Sequence, residues 1–350
     1  MSSTNLVFFT VLVCLSGTAF GDGWQGSSAL FLNDNNLQLH TASHGTSTGE
    51  FNGSFILLHQ SDPETDTIAI HDDSFIWQMT MRCDGKMLAI TDDTGIAYMT
   101  LKQERHQPSL TKLQISQSAL VATMKGAGHY PLGTGCRGLA FSPSGKKLVV
   151  GDLSGTLWVA NVTDDSVGSP LKISRLFEKG AITSLTFKDE NIVLAASDFN
   201  NDMGHTGEPS VMQVNLSTGE RASFTANVTA VSSLAYSFHS KILVVGGIDG
   251  SVYVYDDAGR EKWHKEPPQM GRILPAFVAM PSDDSLIACG FSDCTIKVWD
   301  MDGKRESSSK SGHLGGVNCL RYSNDNSKIA TTGANDTKIT VSPALTLSNP

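Results

Sequence analysis

Residues 274–300 read LPAFVAMPSDDSLIACGFSDCTIKVWD. An apolar run gives way to a polar turn. A second run rich in Leu, Ile and Ala then ends at Gly290, and a tight turn leads into a third, alternating run. Short apolar or alternating runs bounded by Gly, Pro, Asp and Ser are the signature of strands joined by turns. The same unit stands on either side, as VSSLAYSFHSKILVVGGIDGSVYVYD at 231–256 and VNCLRYSNDNSKIATTGANDTKITV at 317–341. Upstream it recurs at 136–161, CRGLAFSPSGKKLVVGDLSGTLWVAN, and at 74–101, SFIWQMTMRCDGKMLAITDDTGIAYMTL. Two looser copies, 182–216 and about Ser28 to Gln60, bring the number to seven.

The turn before the third strand falls at Asn52, Thr94, Ser154, Pro209, Asp249, Asp293 and Asp336, so successive copies lie 42, 60, 55, 40, 44 and 43 residues apart. A period of about 40–45 residues is that of four-stranded propeller blades, and the long intervals read as insertions. One copy alone would expose both faces of a small sheet. Burial therefore requires the copies to stack and the stack to close into a ring. The expectation is an all-β fold, one seven-bladed β-propeller over residues 1–350. After its third strand the last copy keeps only SPALTLSNP, which is thin material for a fourth. LVFFTVLV, at residues 6–13, can supply that strand from the other end, so the ring is expected to close by pairing of N- and C-terminal strands.

The same N-terminal run supports a competing reading. LVFFTVLVCL followed by SGTAFG also has the form of a signal-peptide apolar region, with Ala19 and Gly21 at the cleavage positions, although no Lys or Arg precedes it. Sequons at Asn52, Asn161, Asn215, Asn227 and Asn335 point the same way. Roughly three are expected by chance in a chain this rich in Asn, Ser and Thr.

Trp299-Asp300 after DCTIKV, and Gly312-His313 at the head of the next unit, resemble the WD and GH dipeptides of WD40-repeat β-propellers. The resemblance covers nearly the whole chain. It departs from the pattern at Tyr255, Ala160 and Ser342, which stand where the terminal Trp is usual. It implies a hydrogen-bond network inside the blade, with His313, Asp336, Asp293 and Trp299 as its residues. The stretch SGTAFGDGWQGSSALFL, residues 16–32, also resembles the opening of methylosome-type WD40 cofactors, which hold substrate for an arginine methyltransferase.

Function classes are narrowed by what the residues can do. A formal net charge of -9 disfavours direct nucleic-acid binding, which rests on neutralising phosphates, and favours a neutral or basic protein partner. The six cysteines form no C-x-x-C pair. Beyond the N-terminal run nothing approaches the length of a membrane span. Gly45-Thr-Ser-Thr-Gly49 fits G-x-S-x-G, but it sits in a polar loop between two strands, where no strand-to-helix elbow is expected. His40, His44 and Glu50, and Asp202, His205 and Glu208, are loop groups that ordinarily stay solvated, so neither metal nor cofactor is expected.

Three insertions stand out: 43–51, 199–208 and about 103–130. In a propeller, second-to-third-strand loops and inter-blade links open on one face, and repeat insertions tend to map to the binding face. His44 and His205 lie on these insertions. Trp263, with Arg272 close behind, is assigned to a link on the same face, and Trp and Arg are the types most enriched at interface hot spots. The four residues are the candidate partner-binding set. The expected function is a non-enzymatic protein-interaction scaffold in a multiprotein complex, cytoplasmic or nuclear. The alternative is a secreted or ER-lumenal propeller, binding or hydrolytic.

Overall fold

The computed structural model describes residues 23–25, 29–31, 37–45, 51–60, 65–71, 76–92, 96–102, 114–116, 135–164, 166–178, 180–198, 210–224, 228, 230–266, 275–333 and 339–347. Among these residues all regular structure is β, in seven antiparallel sheets.

The first sheet takes β1 (Gly23–Gln25), β2 (Ala29–Phe31), β3 (Leu37–Gly45), β4 (Phe51–Gln60) and β5 (Thr65–His71). Both β1 and β2 lie along β3, against residues 43–45 and 38–40 respectively. The second sheet is β6 (Ile76–Met81), β7 (Met87–Asp92), β8 (Ile96–Lys102) and β9 (Gln114–Ser116). The third is β10 (Cys136–Phe141), β11 (Lys147–Asp152), β12 (Thr156–Asn161) and β13 (Leu171–Arg175). The fourth is β14 (Ile182–Phe187), β15 (Ile192–Ser197), β16 (Val211–Asn215) and β17 (Arg221–Phe224). The fifth is β18 (Val231–Ser237), β19 (Ile242–Gly247), β20 (Val252–Asp256) and β21 (Glu261–Lys265). The sixth is β22 (Ala276–Ala279), β23 (Ile287–Phe291), β24 (Thr295–Trp299) and β25 (Glu306–Lys310). The last, β26 (Val317–Tyr322), β27 (Lys328–Gly333) and β28 (Ile339–Pro343), has three strands among the described residues.

In the six sheets after the first, strand order follows chain order. First strands contact one another in sequence, β6 to β10, β14, β18, β22 and β26, and β2 touches both β26 and β6. The apolar cores explain why. Each is shared by two neighbouring sheets, as where Val244 and Val254 of the fifth meet Val278, Cys289 and Trp299 of the sixth. Ala29 and Phe31 of the first sheet likewise meet Cys319, Ala330 and Ile339 of the last. Burying a side chain of Val or Leu size contributes about 1.5–3 kcal/mol. That stabilisation exists only while the neighbouring sheet is in place, so the sheets hold together as a β-propeller.

Two glycines mark where neighbours press closest. A Cβ on Gly246 would overlap the carbonyl oxygen of Ala276, and one on Gly290 would overlap the side chain of Val317. Both sit where a second strand passes the first strand of the next sheet.

Alternating direction sends the turns to two ends. First-to-second and third-to-fourth turns open on one, here the turn face; second-to-third turns and the links between sheets open on the other, the link face. On the turn face adjacent sheets clasp through polar bonds. Arg82 Nη1 donates to the Thr163 carbonyl at 2.6 Å, Ser144 Oγ to Glu190 Oε2 at 2.7 Å, and the Ser282 N–H to Asn326 Oδ1 at 2.9 Å.

Several expectations are refined. The first copy extends through β5 to His71, beyond Gln60. The stretch 103–130 is not one insertion: β9, the fourth strand of the second sheet, divides it. Residues 6–13 lie outside the described residues.

Candidate functional site

The link-face ends of the first strands share an irregularity. In β6, β10, β14, β18 and β26 the pairing with the second strand skips one residue after the first. The extra residues are Trp77, Arg137, Thr183, Ser232 and Asn318. Such a bulge turns a side chain out of the regular alternation, and here the hydroxyl members reach the neighbouring sheet. Thr183 Oγ1 donates to the Val231 carbonyl at 2.9 Å, and Ser232 Oγ to the Ala276 carbonyl at 2.6 Å.

Arg137 and Trp77 do something different. The Arg137 guanidinium lies over the Trp77 ring, 4.2 Å from its centroid. Its Nη1 stands 3.6 Å from Asp198 Oδ2, and the two side chains are 5% and 3% exposed. Asp198 immediately follows β15, and its Oδ1 accepts the Ala181 N–H at 2.9 Å. One chain of contacts, Trp77 to Arg137 to Asp198, thus ties three successive sheets. Burial pushes the Asp198 carboxyl above its ordinary range; the Arg137 charge and the Ala181 N–H pull in the opposite direction without overcoming it. Two long connections leave beside this pair: 117–134 ends just before β10, and 199–209 begins directly after Asp198. A stacked guanidinium beside a buried carboxylate fixes the bases of these connections, because the ring and the opposite charge each hold the guanidinium in place.

A second carboxylate organises the third sheet from within. Asp152 is fully buried. Its Oδ1 accepts from the Ser154 N–H, the Ser154 hydroxyl and the Thr156 N–H at 2.8, 2.7 and 2.9 Å, and its Oδ2 from Trp158 Nε1 at 2.9 Å. The turn is held by its own first residue.

The residues singled out from sequence are distributed as follows. His313 is buried, its Nε2 2.9 Å from Thr331 Oγ1. Asp336, its expected companion, lies outside the described residues. Asp293 Oδ1 accepts the Thr295 N–H at 2.9 Å. Trp299, 1% exposed, donates from Nε1 to Glu306 Oε2 at 2.8 Å. Its indole therefore bonds to the fourth strand of its own sheet, away from His313.

Trp263 requires a correction. It is not in a link: it lies on β21, the fourth strand of the fifth sheet. Its indole donates to the Met301 carbonyl at 2.9 Å and packs 6.3 Å from the Trp299 ring, so it is committed to the sixth sheet. EKWHK carries one apolar residue among four polar ones, which in sequence does not distinguish a strand from a link. Arg272 and His205 lie outside the described residues. His44 is on β3, opposite Trp24, and its side chain is outside the description.

Trp77, Arg137, Asp198 and Asp152 escaped the sequence reading. The lone Arg at the head of the apolar run CRGLAF was the available sign for one of them. Among the described residues no group of three His, Cys, Asp or Glu is placed to hold a metal ion, and no helix is long and apolar enough to cross a membrane.

The family model described as WD domain, G-beta repeat matches residues 219–256, 276–300 and 305–341. Three WD40 repeats are thus detected, the first running from β17 to β20, the second over β22 to β24 and the third from β25 into β28. No curated protein matches the chain.

Proposed function

We propose that this WD40-repeat chain is a non-enzymatic protein-interaction scaffold, a subunit of a multiprotein complex that holds its partner on the link face. In this reading residues 1–350 form one domain, a seven-bladed ring, and residues 6–13 pair with β28 to complete the last blade. The observation that carries it is the Trp77, Arg137 and Asp198 cluster. A guanidinium and a carboxylate are buried together at the base of two long connections, and loops on a rigid scaffold are where binding residues concentrate. A formal net charge of -9 suits a basic partner. His44, His205 and Arg272 remain candidates on the same face. The likeness of residues 16–32 to methylosome-type cofactors makes presentation of a substrate to a partner enzyme the narrower form of this proposal, with a cytoplasmic or nuclear location.

The test is co-purification from cell extract with 117–134 and 199–209 each cut to the two to five residues of an ordinary turn. Folded protein that loses its partners supports the proposal, whereas unchanged partners at unchanged yield reject the link face. Intact-mass measurement of the native N-terminus decides between this reading and a secreted propeller. Retention of residues 1–21 fits the scaffold, and their removal fits a cleaved signal peptide.

A further inference from the structure

On the turn face, away from the proposed link-face site, the fifth sheet displays an aromatic residue. Phe238 follows β18 and is 49% exposed, yet its backbone is held firmly. The Ser240 N–H donates to Ser237 Oγ at 2.8 Å and to Asp284 Oδ2 at 3.0 Å, and Ser237 Oγ also bonds Asp284. Lys241 closes the turn at φ +53°, a left-handed conformation that costs a non-glycine residue energy. Behind Phe238 stands Tyr236, packed edge-to-face at 5.6 Å. The Tyr236 hydroxyl donates to Asp257 Oδ1 at 2.6 Å. Burial and the nearby carboxylates Asp257 and Asp189 raise the Tyr236 pKa, which places a second acidic group in the same neighbourhood.

Asp257 is thus bonded to the ring partner of Phe238, and Asp284 to the turn residues Ser237 and Ser240 on either side of it in the chain. Across the adjoining turns Asp189, Glu190, Asp257, Asp283 and Asp284 outnumber Lys188, Lys241 and Arg260. Lys188 pairs with Asp257 at 2.8 Å and lies 6.0 Å from the Tyr236 ring centre. The chain itself thus places a cation over an aromatic and against a carboxylate here, as Arg137 does with Trp77 and Asp198 on the other face.

We infer that Phe238 and its flanking carboxylates form a second docking surface, one that takes an arginine-bearing segment of a partner protein. A guanidinium can stack on the exposed ring while its in-plane N–H groups bond carboxylate oxygens. Lysine offers one point charge to the same surface and should bind less well.

The experiment is fluorescence anisotropy with the full chain and a labelled acetyl-Ala-Arg-Ala-Arg-Ala amide, its lysine counterpart and an all-alanine control. The expected result is saturable binding in the order arginine, lysine, alanine. It should weaken about tenfold in Phe238→Ala and fall as salt rises. Phe238→Tyr, which keeps the ring, should retain binding, and circular dichroism should show Phe238→Ala folded, since half of the side chain is already in water. Equal affinity of parent and Phe238→Ala, or an alanine peptide binding as well as the arginine peptide, overturns the inference.

Discussion

Arg137→Ala removes the middle of the Trp77, Arg137 and Asp198 chain. The side chains of the pair are 5% and 3% exposed, so the change strands a carboxylate that the fold has already desolvated. Breaking one side of a buried pair costs about 3–5 kcal/mol, and the stacking lost from Trp77 lies within that total. Asp198→Asn should cost less, because the amide oxygen can still accept the Ala181 N–H. If the two act on each other, the double variant should be more stable than the summed losses imply, by about 1 kcal/mol or more. The pH dependence has a definite sign. Burial raises the Asp198 pKa above the unfolded value of about 3.9. Its contribution to stability is then complete below that value and lost as pH rises through the folded pKa. Arg137→Ala deletes the charge that opposes the rise, so the loss should extend to higher pH; Asp198→Asn should abolish it. Urea unfolding of parent, both single variants and the double variant, from pH 4 to 8, measures all of this. Strict additivity together with identical pH profiles would refute the coupling, and with it the view of these residues as one unit.

Trp263→Ala should lower stability by about 2–3 kcal/mol, less than a fully buried Trp, because its indole packs on the sixth sheet and bonds the Met301 carbonyl. Co-purifying partners should be unchanged wherever the protein stays folded, and differential scanning calorimetry beside a pull-down checks both points. Gly246→Ala should unfold the protein or cost several kcal/mol, since a Cβ there meets backbone; Gly219→Ala, with nothing close to its Cβ but φ +74°, should cost only about 1 kcal/mol of strain. Chemical denaturation ranks the two. Deleting residues 1–20 should lower the melting temperature by several degrees if residues 6–13 pair with β28, and a melt within a degree or two of full length would count against that pairing.

How far the sequence reaches is clear from particular residues. The repeat period was legible because burial between sheets demands apolar runs at fixed positions, as in KILVVGG and SLIACGF, and the glycines ending them answer to real close approaches. Trp263 was misplaced because a blade's fourth strand is short and half polar, so it resembles a link. In sequence the interval 103–130 has the look of one insertion because β9 is only the three residues Gln114–Ser116. The link-face cluster was harder still. A bulge leaves no mark in composition, and only the register shift after Cys136 brings Arg137 over Trp77. Asp152 was within reach. Its spacing of two, four and six residues from Ser154, Thr156 and Trp158 in GDLSGTLW is that of a carboxylate capping its own turn and bonding along the next strand.

The most direct test of the scaffold account is photo-crosslinking in cells from positions on different parts of the ring. A photoreactive residue at Glu178, Asp293 or Leu314, all exposed beside links or second-to-third turns, samples the link face. One at Lys172 or Ser308, exposed on the outer strands β13 and β25, samples the rim. The account predicts discrete protein adducts from the link-face positions and few or none from the rim. Adducts confined to Lys172 and Ser308, with none from Glu178, Asp293 or Leu314, would contradict it.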